Sequence, residues 1–202
     1  MSWNTKDIWV VVISLSTFLL LFYYVSIERV WFKKYVWKLF RRKNISDSEF
    51  ENFVYHFGEV LFKFSKRKIG ALIVIEKFQN LQKYISLGYE VKSKFFPDFL
   101  YNIFFNKASS MHDGGVIIRG MEIMSISSYF PITSDKNIPN EYGSRHRAAM
   151  GISGRTDALA FLVSESSGKI MISQDGKINS LDNSNINLLI KKLKELLSFY
   201  IE

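Results

Sequence analysis

Two short patches hold the residues best suited to chemistry. Met111-His112-Asp113-Gly114-Gly115-Val116-Ile117-Ile118 sets a polar triplet against an apolar run, and its two glycines leave backbone amides open to a ligand. Glycines that let a chain come close to a phosphate are a common device. The same Asp-Gly pair also reads as an ordinary turn before a strand. Gly143-Ser144-Arg145-His146-Arg147-Ala148-Ala149 places two arginines around a histidine where a helix should begin. Helix-start amides and guanidinium groups both suit phosphate. A solvated basic helix start and a nucleic-acid contact are the alternatives, although Ala148, Ala149, Met150, Gly151 and Ile152 bury the next turn and fit a pocket wall better than a groove reader. Ser164-Glu165 ends an apolar run, where a hairpin corner is the simpler reading. His56 reads as a helix-face residue without a chemical role.

The elements that must carry these patches follow from periodicity. Ser46-Asp47-Ser48-Glu49 has the capping-box form. Phe50, Phe53, Val54, Phe57, Val60, Leu61 and Phe64 then recur at three- and four-residue steps, giving a helix that ends near Lys66. Gly70 to Ile75 is a short apolar run and reads as a buried strand. Phe78 to Leu87 reads as a short helix stopped by Gly88, and Pro97 starts another that carries Phe99, Leu100, Ile103 and Phe104. Val116–Ile118 and Ile123–Tyr129 read as a hairpin broken by Gly120. A polar, turn-rich stretch from Pro131 to Pro139 leads into a helix over Arg145–Ile152. Ala158–Val163 and Ile170–Ile172 read as paired strands around the Ser166-Ser167-Gly168 turn. Asp175-Gly176 marks one more turn, and Asn185–Tyr200 is an amphipathic terminal helix. The expected class is α/β: a central, mixed, partly parallel β-sheet flanked by helices.

The chain has 202 residues, no cysteine and a net charge of +8. The lack of cysteine removes disulfides, thiolate zinc sites and cysteine nucleophiles. The basic balance admits nucleic acid, anionic membrane or phosphate-rich ligands as partners, and the placement of the charges separates them. Ile8 to Ile27 is uncharged and matches the ~20 residues a helix needs to cross a bilayer. Trp3 and Trp9 lie near one end, and Tyr23, Tyr24 and Trp31 near the other, as interfacial aromatics do. Arg29, Lys33, Lys34, Lys38, Arg41, Arg42 and Lys43 follow the run, whereas Lys6 beside Asp7 precedes it. That asymmetry places the C-terminal side in the cytoplasm. A cleaved signal peptide would carry its basic residues first and small residues at its end. The expected organisation is a transmembrane helix over 1–28, a basic juxtamembrane linker over 29–45 and a catalytic domain over 46–202. The expected location is a single-pass protein of the cell membrane with that domain cytoplasmic.

Taken together, Asp113-Gly114-Gly115 and, further on, Arg145-His146-Arg147 resemble the Asp-Gly-Ala and Arg-His-Arg motifs of the diadenylate cyclase domain. The similarity runs from about Phe64 to Ile178 through Gly70-Ala71-Leu72-Ile73 with Glu76, Ile103-Phe104, Tyr129-Phe130-Pro131, Thr156-Asp157 and Ser164-Glu165. A single span with a short linker is similar to the single-helix membrane type of the family. Four positions depart from the usual pattern. Gly115 stands for alanine, Ser144 for threonine, Ser110-Met111 for Pro-Leu and Phe130 for leucine. None removes a catalytic group.

The resemblance implies condensation of two ATP molecules into cyclic di-AMP with release of two pyrophosphates. It implies that Asp113 activates the attacking 3′-hydroxyl, and that Arg145 and Arg147 hold the triphosphate and offset transition-state charge. Gly114, Gly115, Ser144, His146 and Ser164 would contact ATP, and Tyr129 and Phe130 would frame adenine. His112 and Glu165 would meet a divalent ion, Mg²⁺, Mn²⁺ or Co²⁺. One site holds one ATP, so the resemblance also implies a face-to-face homodimer. Two rival readings remain: a catalytically inactive sensor of ATP or cyclic di-AMP, and a membrane-tethered nucleic-acid-binding protein. Retention of Asp113 and both arginines argues against the first. The clustering of positive charge beside the apolar run, with no aromatic-basic interleaving around Arg145, argues against nucleic acid as a partner.

Overall fold

The computed structural model describes residues 9, 14–21, 23–24, 45–135 and 138–201. The chain divides into two compact units, residues 1–42 and 43–202. In the first, residues 14–21 are helical. Among the described residues no helix is long and apolar enough to cross a membrane. Of the expected span over Ile8–Ile27, residues 8, 10–13, 22 and 25–27 lie outside the described residues, as does its basic linker up to residue 44.

The second unit opens with α1 (Asp47–Arg67), whose start is fixed by a reciprocal capping box. The Glu49 N–H donates to Ser46 Oγ at 3.2 Å, and the Ser46 N–H donates to Glu49 Oε2 at 3.1 Å. The helix stops where Lys68 turns left-handed at φ 51°. Next come β1 (Ala71–Glu76), α2 (Gln82–Ile85), β2 (Tyr89–Lys94) and α3 (Pro97–Phe105). Pro97 occupies the first turn of α3, where its missing N–H costs nothing. A 3₁₀ turn (Ser110–His112) leads into β3 (Gly115–Arg119) and β4 (Glu122–Ser128). Then follow α4 (Ser144–Ser153), β5 (Leu159–Val163), β6 (Ile170–Gln174), β7 (Lys177–Leu181), α5 (Ile186–Leu197) and a closing 3₁₀ turn (Ser198–Tyr200).

The seven strands form one sheet in the order β2-β4-β3-β1-β5-β6-β7. β1 and β3 run parallel, and every other adjacent pair is antiparallel. The sheet is therefore mixed, as expected. β2 has no counterpart in the expected elements, and α2 is far shorter than the Phe78–Leu87 helix that periodicity suggested.

Alternation along β1 shows how the layers form. Ala71, Ile73 and Ile75 face a core made with α1, α3 and α5, while Leu72 and Val74 face a second core made with α2 and α4. Both faces are covered, so all six residues of β1 are buried and the strand reads as a continuous apolar run. Phe57, Phe64, Phe104 and Phe161 are among the largest fully buried side chains of the first core, and each contributes on the order of 2–3 kcal/mol by burial. At the C-terminal end of the parallel pair, the fully buried Glu76 carboxylate accepts from Arg119 Nε at 3.0 Å. It also accepts from the Leu81 N–H at 3.0 Å. This pair joins neighbouring strand ends and anchors the loop that leads into α2.

Candidate active site

The opposite end of the parallel pair gathers the chemical residues. Asp113 ends the 3₁₀ turn just ahead of β3, and its side chain is exposed. The Gly114 N–H donates to Asp113 Oδ1 at 2.9 Å, and the Tyr129 hydroxyl donates to Oδ2 at 3.3 Å. Gly114 is left-handed at φ +69°, and a Cβ there would lie 2.5 Å from the Ser128 carbonyl oxygen. Both facts require glycine. Across the ladder, Ser127 is also left-handed at φ 51°, and its hydroxyl donates to the Ser110 carbonyl at 2.8 Å. Together these contacts pin the Ser110–Gly114 loop against β4.

α4 begins beside this loop. Its N-cap, Gly143, offers no side-chain acceptor, so the first amides of the helix stay open. Ser144 is exposed at its first position. Arg145 reaches back, and Nη2 donates to the His112 carbonyl at 2.8 Å, joining segments 33 residues apart in sequence. Its Nη1 lies 3.8 Å from Glu165 Oε2, while Nε is buried with no hydrogen-bond partner. Burial lowers the Arg145 pKa, and the nearby charges of Glu165 and Asp113 oppose that shift. Arg147 Nε donates to the Tyr142 carbonyl at 3.3 Å.

Glu165 follows β5 and carries two cations. Oε1 accepts from Lys107 Nζ, and Oε2 faces Arg145. The Lys107 hydrogen bond is the main influence holding its carboxyl below the usual glutamate range. Gly70, just ahead of β1, makes room for this cluster: a Cβ would lie 3.0 Å from Arg145 Nη1 and 3.1 Å from Glu165 Oε2. His112 Nδ1 lies 2.5 Å from the Ser109 carbonyl oxygen. A carbonyl only accepts, so Nδ1 is the donor in this contact and Nε2 is not engaged by it. Among the described residues no three histidines, aspartates or glutamates converge as a ready metal cage. An ion carried by phosphates needs only one or two protein ligands, and His112 lies near enough to Glu165 to act on its charge.

Most of the expected site residues therefore lie around one loop and one helix start, but they do not all face the same way. Tyr129 is 60% exposed beside Asp113. Phe130 turns inward, and a Cβ on Gly115 would sit 2.8 Å from its Cε2. The two departures at 115 and 130 are thus packed against each other. His146 is buried and stacks on Tyr142, with ring centroids 4.7 Å apart and planes 17° apart. Ser164 is also buried, and its hydroxyl accepts from the Ser167 N–H at 3.3 Å within the hairpin corner. Lys107 belongs to the cluster and was not anticipated. Its partner is 58 residues away, and no local pattern distinguishes it from the other lysines.

The profile of the family described as DisA bacterial checkpoint controller nucleotide-binding (DAC) matches residues 59–178. The chain belongs to this family. It is 43% identical over 152 residues to the diadenylate cyclase of Mycoplasma genitalium, a match covering 75% of this chain and 76% of the relative. Among solved structures, DacA from Staphylococcus aureus superposes with a TM-score of 0.69 at 34% identity, covering 74% of this chain and 97% of that one. A hypothetical membrane-spanning protein from Bacillus cereus superposes with a TM-score of 0.60 at 32% identity, covering 62% and 61%. The matched DAC segment contains every residue of the cluster around Asp113 and Arg145.

Proposed function

We propose that this chain is a diadenylate cyclase, condensing two ATP molecules into cyclic di-AMP and releasing two pyrophosphates. The observation that carries this reading is the Arg145–His112 bond, which couples the Asp113 loop to the open start of α4 within a chain of the DAC family. In the reaction the 3′-hydroxyl of one ATP attacks the α-phosphorus of another, pyrophosphate leaves, and a second such transfer closes the ring.

Asp113 takes the proton of the 3′-hydroxyl in this reading. Its exposed carboxylate, oriented by Gly114 and Tyr129, supports that role. Gly114 and Gly115 admit the backbone close to ribose and phosphate. The exposed ring of Tyr129 offers a stacking face for adenine, and Phe130 shapes the pocket floor from behind Gly115. Ser144 and the open amides of α4 receive phosphate oxygens. Arg145 fixes the loop while adding positive charge, and Arg147 contributes charge from the next turn. His146 and Ser164 act by packing beneath these groups. A divalent ion bound with the triphosphate supplies charge neutralisation, with His112 and Glu165 as its protein ligands.

Replacing Asp113 tests the reading. The parent chain, incubated with ATP and Mg²⁺, Mn²⁺ or Co²⁺, is expected to yield cyclic di-AMP by mass spectrometry. Asp113→Asn is expected to lose about 10²–10⁴-fold in rate while still binding ATP. Binding without product from the parent, with every metal, would favour a sensor.

We further infer that residues 8–27 cross the membrane, with the basic residues 29–43 and the catalytic unit on the cytoplasmic side. The uncharged run and the charge asymmetry support this, and the Bacillus cereus neighbour is itself described as membrane-spanning. The chain is expected to stay with the membrane pellet after alkaline carbonate extraction. Release into the supernatant would defeat this inference.

A further inference from the structure

We propose that Lys107 and a divalent cation compete for the Glu165 carboxylate, and that the lysine, once displaced, becomes a ligand of the triphosphate. The inference rests on the cyclase reading and adds to it a residue that neither the motifs nor the resemblance identifies.

Both oxygens of Glu165 already face cations. Oε1 accepts from Lys107 Nζ, and Oε2 lies 3.8 Å from Arg145 Nη1. The two cations are not equivalent. The Arg145 side chain is only 25% exposed, it is bonded through Nη2 to the His112 carbonyl, and its Nε is sealed from solvent. Gly70 presses against the same guanidinium, since a Cβ there would meet Nη1 at 3.0 Å. Arg145 is therefore fixed. The Lys107 side chain is 61% exposed and sits two residues past the end of α3 on a flexible stem. A pair between exposed groups is weak and readily exchanged. Lys107 is the partner that can leave.

A cation held by Glu165 needs its carboxylate oxygens, and Lys107 occupies one of them. In the nucleotide-free chain the lysine thus stands where the ion would bind, which keeps the carboxylate neutralised and the ion loosely held. When ATP brings the ion with its phosphates, the exchange frees an ammonium group beside the open start of α4. Ammonium is a compact charge with three donors and suits phosphate oxygens. The lysine then reports the presence of the outer phosphates rather than of adenosine.

The test uses the full chain in detergent. Mn²⁺ alone is titrated against the nucleotide-free protein, with the free ion read by electron paramagnetic resonance. Lys107→Met is expected to bind Mn²⁺ about twofold to fivefold more tightly than the parent, the range an exposed ion pair would impose. Lys107→Arg is expected to match the parent. Adding Glu165→Gln to Lys107→Met is expected to abolish the gain. In an Asp113→Asn background, where turnover is expected to be slowed, Lys107→Met is expected to weaken ATP binding and leave AMP binding unchanged. Unaltered Mn²⁺ affinity in Lys107→Met overturns the proposal. So does a gain that survives Glu165→Gln, or an equal loss for ATP and AMP. Cyclic di-AMP production by the parent, measured alongside, decides the enzymatic reading separately.

Discussion

His146 lies between two arginines in the sequence, yet it is the member of that triplet turned into the fold. Burial against Tyr142 depresses its pKa below the ordinary 6.5, and Glu141 opposes the shift. The folded chain therefore keeps the imidazole neutral, while the unfolded chain takes up a proton as pH drops through about 6.5. The unfolded state binds more protons in that window, so stability is lost as pH falls below 6.5. The thermal midpoint is expected to drop between pH 7.5 and 5.5. His146→Phe, which keeps a ring against Tyr142, is expected to show a smaller drop. Equal slopes for the two proteins would exclude this origin. Asp113, Gly114 and Arg145 were legible in the sequence because each belongs to a compact motif. The inward turn of His146 and the Lys107–Glu165 pair were not, because both depend on contacts that only the tertiary fold brings together.

Among the elements, α4 and the segment after β4 are fitted to each other most tightly. A Cβ on Gly151 would fall 1.8 Å from the Pro131 carbonyl oxygen, and the Thr133 N–H donates to the Arg147 carbonyl at 3.1 Å. Helix and segment meet backbone to backbone, and the segment leads directly from Tyr129 and Phe130. Gly151→Ala is expected to cost about 1–3 kcal/mol by overpacking and to weaken ATP binding, read by urea unfolding and by nucleotide titration. Unchanged stability would mean that the segment is free to move. The buried strands β1, β3 and β5 were readable as short apolar runs. β2 was not, because Tyr89-Glu90-Val91-Lys92-Ser93-Lys94 lies at the sheet edge, carries three charges and is nowhere fully buried. α2 was overestimated because Phe78 and Gln79 instead donate their backbone N–H groups to Asp157, at 3.2 and 3.0 Å. That contact holds the start of the apolar stretch in a loop, which local periodicity does not reveal.

For the molecule as a whole, the exposed position of Asp113 and Tyr129 bears on how a ring can be closed. Each catalytic unit presents one such loop, and the product needs two nucleotides joined twice. A two-fold pair of loops would supply this symmetrically, and we propose that arrangement for the active form. Specific activity is accordingly expected to fall on dilution once protein concentration drops below the dimer dissociation constant. Constant specific activity down to nanomolar protein, with a monomer seen in sedimentation, would refute the requirement. The general layout of this unit was readable from the alternation of helical and strand patterns. The strand order was not, since it depends on pairings between distant segments.

The free edges of the sheet bear on a different hazard. An outer strand offers unpaired amides and carbonyls on which further strands can add, as happens in amyloid. Here β2 is interrupted by a register shift between Glu90 and Ser93, and Lys92 within it is left-handed at φ 46°. At the other edge, β7 is five residues long and opens on Lys177. The bulge and charges of β2 and the short length of β7 each make the edge a poorer template, which disfavours indefinite growth of the sheet.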